Sequence, residues 1–431
     1  MPRMLVTIIL FVACGFVTLV VSTSCQADEA RWYKGNLHTH SLWSDGNDYP
    51  EMIVDWYVRE GYDFLSLSDH NILSRGEKWI GEEVALKRGA IDGLKRYRAR
   101  FGDEWIETRE KDGTTEIRLK TLDEFAPLFD KPGEFLLIQA EEITDRYGSL
   151  PIHINANNIV ELIRPLGGES VRETIANNLI AVRQQSQRVG QPILAHLNHP
   201  NFGYAVTAED MAAVVQERFF EVYNGHPGVN QLGDETHEPI ERMWDIANTI
   251  RISDMRHPPL YGLATDDSHN YFGNRGSSPG RGWVMVRAKE LTPESLIRSI
   301  EAGDFYASSG VTLDALAFDG EKQILSVSIT PEDGIDYVTE FIGTPVDYDK
   351  ASQAVVDKDG KEITATRTYS ADVGKVLGQV KGTSATYQLT GKELYVRAVV
   401  TSTKKHWNPS FDNQMEQAWT QPVGWEKQVQ E

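Results

Sequence analysis

The sequence predicts an α/β protein, with a barrel of strands alternating with helices over residues 28–309 and an all-β sandwich over 310–431. Three observations predict it. Apolar runs that end in polar or charged residues recur through the first part, as strands do where they deliver side chains to the rim of a parallel barrel. Helical patterns with start and stop signals lie between those runs. From Gly310 the texture becomes short runs rich in β-branched and aromatic residues, split by Gly, Asp and Lys turns.

Residues 1–27 read as a leader. Arg3 is their only charged residue, Met4 to Val21 is uncharged, and Ser22-Thr23-Ser24-Cys25-Gln26-Ala27 is small and polar. Three fates fit: cleavage after Ala27, a lipid anchor at Cys25, or retention as an uncleaved membrane anchor. All three export the chain, to a periplasmic or extracellular space. Both cysteines, Cys14 and Cys25, belong to the leader, so the exported part has no disulfide and any metal must be held by His, Asp and Glu.

The first motif follows at Asn36-Leu37-His38-Thr39-His40-Ser41-Leu42-Trp43-Ser44-Asp45-Gly46. Residues two apart on a strand face one side, so His38 and His40 can grip one ion, with Asp45 just beyond. Tyr49-Pro50 opens a helix with Ile53, Trp56 and Tyr57 on one face, and Gly61 ends it. Tyr62 to Asn71 is a buried strand that ends in Asp69-His70. Between Ser74 and Pro132 a highly charged segment with scattered aromatics reads as a helical insertion, either a lid over the strand ends or a solvated decoration. Phe135 to Glu142 is an apolar run ending in carboxylates. Pro151 to Asn155 carries His153, Gln191 to Pro200 carries His196 and His199, and Tyr261 to His269 closes on Asp266-Asp267-Ser268-His269. Helices are expected over Val171–Val189, after Thr207 and after Thr292-Pro293. The sandwich runs, Val311 to Phe318, Ile324 to Ile329, Tyr337 to Ile342, Ala385 to Leu389 and Leu394 to Val400, contain none of these motifs, and His406 is the lone histidine of the tail.

Charge narrows the partners. With 63 acidic against 43 basic residues the net charge is −20, and no dense Lys/Arg cluster stands against it, which excludes nucleic acid and leaves a small-molecule substrate.

Taken in order, His38-Thr39-His40, Ser44-Asp45-Gly46, Ser68-Asp69-His70, Glu142-Ile143-Thr144, His153, His199-Pro200 and Asp267-Ser268-His269 resemble the PHP (polymerase and histidinol phosphatase) superfamily, most of all its exported, stand-alone members with a C-terminal β-sandwich. The resemblance implies a distorted (β/α)7 barrel with two or three divalent ions, Zn, Mn or Fe, at the strand ends. It implies that His38, His40, Glu142 and Asp267 hold a first metal, that Glu142 bridges to a second completed by His153 and His199, and that Asp45, His70 and His269 hold a third. The family's Ala-His-Pro motif is split here between Ala195-His196 and His199-Pro200, so His196 stands as the alternative to His199. Strand alternation lets one of Glu141 and Glu142, and one of Asp266 and Asp267, face the site.

The implied activity is hydrolysis of a small phosphorylated ester by hydroxide bridging two metals, with Glu142, Asp267 and His269 at the reacting centre and His269 assisting the leaving alcohol. Arg146, Arg275 and Arg281 are candidate phosphate clamps. Asp69 is expected to orient a ligand ring, Glu221 and Asn224 to support the site, and His226 to be a loop histidine without a metal role. Two alternatives stand beside this: a carbamate, amide or carboxylic ester hydrolase on the same cluster, and a non-enzymatic, metal-stabilised binding protein. An amidohydrolase barrel also starts with His-x-His, but the terminal Asp267-Ser268-His269 pair counts against it.

Overall fold

The computed structural model describes residues 30–272 and 276–430. The leader, with Cys14 and Cys25, and Arg275 lie outside the described residues. Among the described residues no helix is long and apolar enough to cross a membrane.

Seven strands form the part of the sheet that carries the motifs. In sheet order they are Tyr261–Thr265, Phe219–Asn224, Leu194–Leu197, Leu150–Asn157, Leu136–Tyr147, Phe64–Leu67 and Arg31–Asn36. The segment curls until its two ends meet. Just past the last strands, the His40 amide donates to the Ser268 carbonyl at 3.0 Å and the Asp267 amide to the His38 carbonyl at 3.1 Å.

A regular parallel (β/α)7 barrel is not what forms. Leu136–Tyr147 and Leu150–Asn157 make an antiparallel hairpin, with Glu142 opposite Asn155 and Thr144 opposite His153, and Leu150–Asn157 is antiparallel to Leu194–Leu197 as well. The reason is chain length. Only Gly148 and Ser149 connect the hairpin strands, whereas a parallel connection needs a crossover of about a dozen residues or more. Gly148 takes the left-handed conformation, φ +59°, that the tight turn requires.

Helices cover the outer face, two of them where the apolar pattern placed them and a third, Ile240–Ser253, that the pattern did not announce. Pro50–Arg59 sets Ile53, Val54 and Tyr57 on Leu65, Leu67 and Leu137. Val171–Val189, capped by Ser170 and stopped at Gly190, lays Ile175, Leu179 and Val182 against Ile154 and Ala156; Ile240–Ser253 brings Met243, Trp244 and Ala247 onto Phe220, Val222 and Ala264. These helices fix the strands' outer faces and so fix which side chains point inward.

The insertion is not purely helical. Lys78–Gly81, Thr114–Leu119 and Thr108–Lys111 form a three-stranded sheet beside the short helices Glu82–Lys87 and Gly93–Phe101. Asp112 and Gly113, both at positive φ, make the two-residue turn that pairs the last two strands. Its apolar face, Ile80, Leu94, Tyr97, Ile117 and Leu119, packs on Leu42, Trp43 and Tyr49. Arg88 donates to the Gly46 carbonyl, Lys78 to the Trp43 carbonyl, and the Trp43 indole to the Lys120 carbonyl. The insertion is a buttress for the loop that carries Asp45.

Beyond Ser308 the described chain is built of β-strands, apart from one short helix at Glu426–Gln430. Leu313–Asp319, Ile324–Ile329 and Ser384–Gln388 form one small sheet, which shares a core of Leu325, Val327, Phe341, Val396 and Val400 with Tyr337–Pro345 and Glu393–Lys405. The larger sheet is continuous with the first part, because Phe305–Ser308 pairs with Met415–Thr420. Side chains reinforce the junction. Buried Arg397 makes a two-pronged ion pair with Asp245, at 2.9 and 2.7 Å, and Gln421 exchanges both of its amide hydrogen bonds with the backbone of Gly262.

Candidate metal centre

The strand ends bring nine side chains together: His38, His40, Asp45, His70, Glu142, His153, His199, Asp267 and His269. Three overlapping groups form, around His38, His40 and Glu142; around His70, Glu142 and His153; and around His40, Asp45, His70 and His269.

Asp267 adjoins the first group. His38 Nε2 and His40 Nε2 lie 3.1 Å apart, Asp267 Oδ1 is 3.3 and 3.2 Å from them, Glu142 Oε2 is 3.3 Å from His40 and Oε1 is 3.5 Å from His38. All four side chains are essentially buried. Donors set tetrahedrally at about 2.0–2.1 Å from one ion stand about 3.4 Å from each other, so these spacings fit a single cation. Glu142 Oε2 is fully buried without a hydrogen bond of acceptable direction, another mark of an atom shaped for an ion.

Glu142 is the hub. Its carboxylate lies within 3.5 Å of five imidazoles: His70 at 2.7 Å, His153 at 2.9 Å, His40 at 3.3 Å, and His38 and His199 at 3.5 Å. Burial works to raise its pKa, but His70, His153 and His38 overcome burial and hold it well below the carboxylate range. His40 is pushed down to about 3, first by burial and then by His269 and His70, which keeps it in the neutral form that binds metal. Asp45, on the buttressed loop, reaches His269 at 3.4 Å and His70 at 3.5 Å.

Two of the nine positions have unusual backbones. His199 and Asp267 sit at φ +24° and +48°, in the left-handed region that non-glycine residues rarely occupy, each at the turn off a strand. This turn sends His199 toward Glu142. His196 points instead into the fully buried interior, 3.9 Å from Glu221, with neither ring nitrogen hydrogen-bonded.

Neighbouring acids have other work. Glu141 faces away, accepts the Ile163 amide, and is pushed up to about 8 by burial. Asp266 accepts the amides of Gly280, Arg281 and Gly282 and the Tyr57 hydroxyl, pinning the return loop. Asp69 does not orient a ring as expected; it accepts from the amides and hydroxyls of Ser41 and Ser44 and so shapes the Asp45 loop. Glu221 fills the orienting role, taking His38 Nδ1 at 2.7 Å and the Thr265 hydroxyl at 2.7 Å. Asn224 ties Glu221 to Asp267, at 2.8 and 3.1 Å.

A cavity of about 160 Å³ opens above the centre, and Phe202, His226 and Val229 complete its walls. His226 therefore faces the cavity while standing outside the three donor groups. Arg281 does not: its buried guanidinium donates to the carbonyls of Gly225, Gly276 and Asn408. Arg146, exposed on the hairpin, is not among the cavity residues either.

No protein-family model matches the chain, and no curated protein matches it. Among solved structures the chain is similar to PHP-like metal-dependent phosphoesterases. One, from Bacteroides vulgatus, is described as a two-domain protein containing a predicted PHP-like metal-dependent phosphoesterase; at 15% identity and TM-score 0.39 the match covers 92% of this chain and 96% of that one. A second, from Bifidobacterium adolescentis, carries a provisional assignment as a metal-dependent phosphoesterase, with 13% identity, TM-score 0.30, and 62% and 95% covered. A third is an amidohydrolase from Chromobacterium violaceum, with 15% identity, TM-score 0.28, and 56% and 90% covered.

Proposed function

We propose that this protein is a metal-dependent hydrolase of small-molecule esters, with phosphoesters as the first reading. The observation that carries it is the Glu142 carboxylate, buried and shared among the imidazoles of adjoining donor groups. His38, His40, Glu142 and Asp267 would hold one divalent ion; Glu142, His153 and His199, with His70 adjoining, a second; Asp45, His70 and His269 a third. Bound there, such ions supply Lewis acidity, activating water at neutral pH and neutralising charge that gathers on ester oxygens.

The chain's own residues do the rest. Glu221 holds His38 with Nε2 toward the centre, and the Asp267 carbonyl takes His269 Nδ1 at 2.9 Å, which turns His269 Nε2 toward Asp45. The hydrogen-bonded strand ends keep bulk water to the open cavity side. The curled seven-strand segment is our reading of a PHP-type barrel. Export through the leader is part of the same proposal.

A second reading, hydrolysis of carbamates, amides or carboxylic esters, is favoured by the cavity wall. Among the described residues none of those lining it is Lys or Arg, and Phe202 and Val229 make it partly apolar. The test is a panel of p-nitrophenyl phosphate, bis(p-nitrophenyl) phosphate and p-nitrophenyl acetate, run on metal-loaded and chelator-treated protein. Metal-dependent turnover of a phosphate ester supports the first reading. Turnover of the acetate alone moves the assignment to the second, and metal bound without any turnover supports a binding protein.

A further inference from the structure

The cavity has two unlike walls. One is the ligand cluster. The other is His226, Phe202 and Val229, which no metal role uses. His226 follows Gly225 in the turn after strand Phe219–Asn224, and the turn is pinned at several points. The Gly225 amide donates to Thr265, the His226 amide to Asn224 Oδ1 at 2.8 Å, and the Val229 amide to the His226 carbonyl. A side chain on Gly225 would strike Asp266 and Arg281, so the chain can leave the strand by this path only with glycine there. Asn224, which holds the turn, also donates to Asp267, so the second wall is tied to the first.

The ring itself is fixed. The Gly228 amide donates to His226 Nδ1 at 3.0 Å, which makes Nδ1 an acceptor and leaves the ring proton on Nε2. The ring lies edge to face with His269, centroids 5.6 Å apart, at the boundary between the walls. Phe202 packs edge-on to His199 at 5.1 Å, placing an aromatic surface beside the same centre.

We propose that His226 is a substrate-contacting residue, donating from Nε2 to an acceptor on the ester, and that the ester carries an apolar group seated against Phe202 and Val229. This rests on the hydrolase reading above and narrows it to esters of aromatic or compact apolar alcohols. A fixed N–H donor beside an apolar surface recognises a polar centre with an apolar substituent, and gives little to an ester lacking the substituent.

Binding of phenylphosphonate and methylphosphonate to the metal-loaded protein, measured by titration calorimetry, tests the proposal independently of turnover. The unmodified protein should bind the phenyl compound at least about tenfold more tightly. Phe202→Ala should remove that preference and leave methylphosphonate within about twofold. His226→Ala should weaken both about tenfold, and His226→Gln, which keeps an N–H donor, should recover most of the loss. Metal content and Tm, measured on each variant, separate these effects from damage to the centre. Equal binding of the two phosphonates, or a His226→Ala protein that binds like the unmodified one with its metal intact, overturns the proposal. If neither phosphonate binds while p-nitrophenyl acetate is turned over, the phosphoester reading falls. The same variants are then scored by kcat/KM on benzyl acetate against methyl acetate, whose leaving alcohols are alike in acidity, with the same refuting results.

Discussion

Replacing Glu142 by Gln, and separately Glu141 by Gln, sets two adjacent residues against each other with the same chemical change. At Glu142 the change removes a full charge, because the imidazoles around it hold the carboxyl well below its usual range. Five imidazoles stand within 3.5 Å and the side chain is almost wholly buried, so no water can take the carboxylate's place. Removing one partner from a buried charged cluster costs about 3–5 kcal/mol. Taken at the lower end, metal affinity should fall by about 150-fold. At Glu141 the carboxyl, pushed up to about 8 by burial, is already mostly neutral at pH 7, and Gln retains an oxygen for the Ile163 amide. Its metal content should stay within about twofold of the unmodified protein. Dialysis against buffered free zinc or manganese, followed by elemental analysis with Tm measured in parallel, gives the comparison. Equal metal content in the Glu142→Gln and unmodified proteins would refute the shared-carboxylate assignment.

Other outcomes follow from the same geometry. Asp45→Ala should deplete one ion while retaining the other two, because Asp45 belongs only to the outermost donor group; loss of all metal in elemental analysis would contradict that. Asp245→Asn removes the two-pronged partner of buried Arg397, leaving Glu241 at 3.8 Å, and should cost about 3 kcal/mol by urea unfolding, against little change if the junction between the two regions were loose. Truncation after Ser309 strips Tyr395, Val399 and Trp419 from the core they share with Trp244 and Val222, so the shortened chain is expected to aggregate; a monodisperse, metal-loaded product by light scattering would refute this. His406 is buried and held down to about 4 by burial, so the folded state favours its neutral form. Its contribution is complete above about pH 6.5 and is lost as pH falls toward 4, by up to about 3 kcal/mol. The His406→Gln protein should lose less stability over that window than the unmodified one, and equal losses would remove His406 as the cause.

The parts of the site legible in the sequence were those set by local rules. A His-x-His at a strand end and carboxylates at the end of an apolar run announce themselves, because alternation on a strand lets only one of two adjacent side chains face inward; between Glu141 and Glu142 alternation leaves the choice open, and the family resemblance pointed to Glu142. What escaped depended on tertiary context. The antiparallel hairpin at Gly148-Ser149 was hidden inside two runs that each read as an ordinary strand, although the two-residue gap held the signal. The insertion sheet turns on Asp112-Gly113, a short hairpin signal masked by the surrounding charge. The His-Pro pair favoured His199 over His196, but the positive φ that His199 adopts off its strand is not written in the local sequence. Phe202 and Val229 look like any core residue in the sequence, and only the cavity shows what they face.

The pairing of Phe305–Ser308 with Met415–Thr420 also governs when the molecule can assemble. Met415–Thr420 lies between Phe305–Ser308 and Glu393–Lys405, in the interior of the sheet, and Trp419 stacks on Tyr223 of a motif-bearing strand. A ribosome adding about 5–20 residues each second exposes every ligand motif by residue 269 and then works for many seconds before the bridging strand emerges. Over that interval the strand Phe305–Ser308 has an unpaired edge, and the ligands wait in an incomplete sheet. Native structure around the centre therefore waits on Met415–Thr420, and chains stalled before residue 415 should remain protease-sensitive throughout.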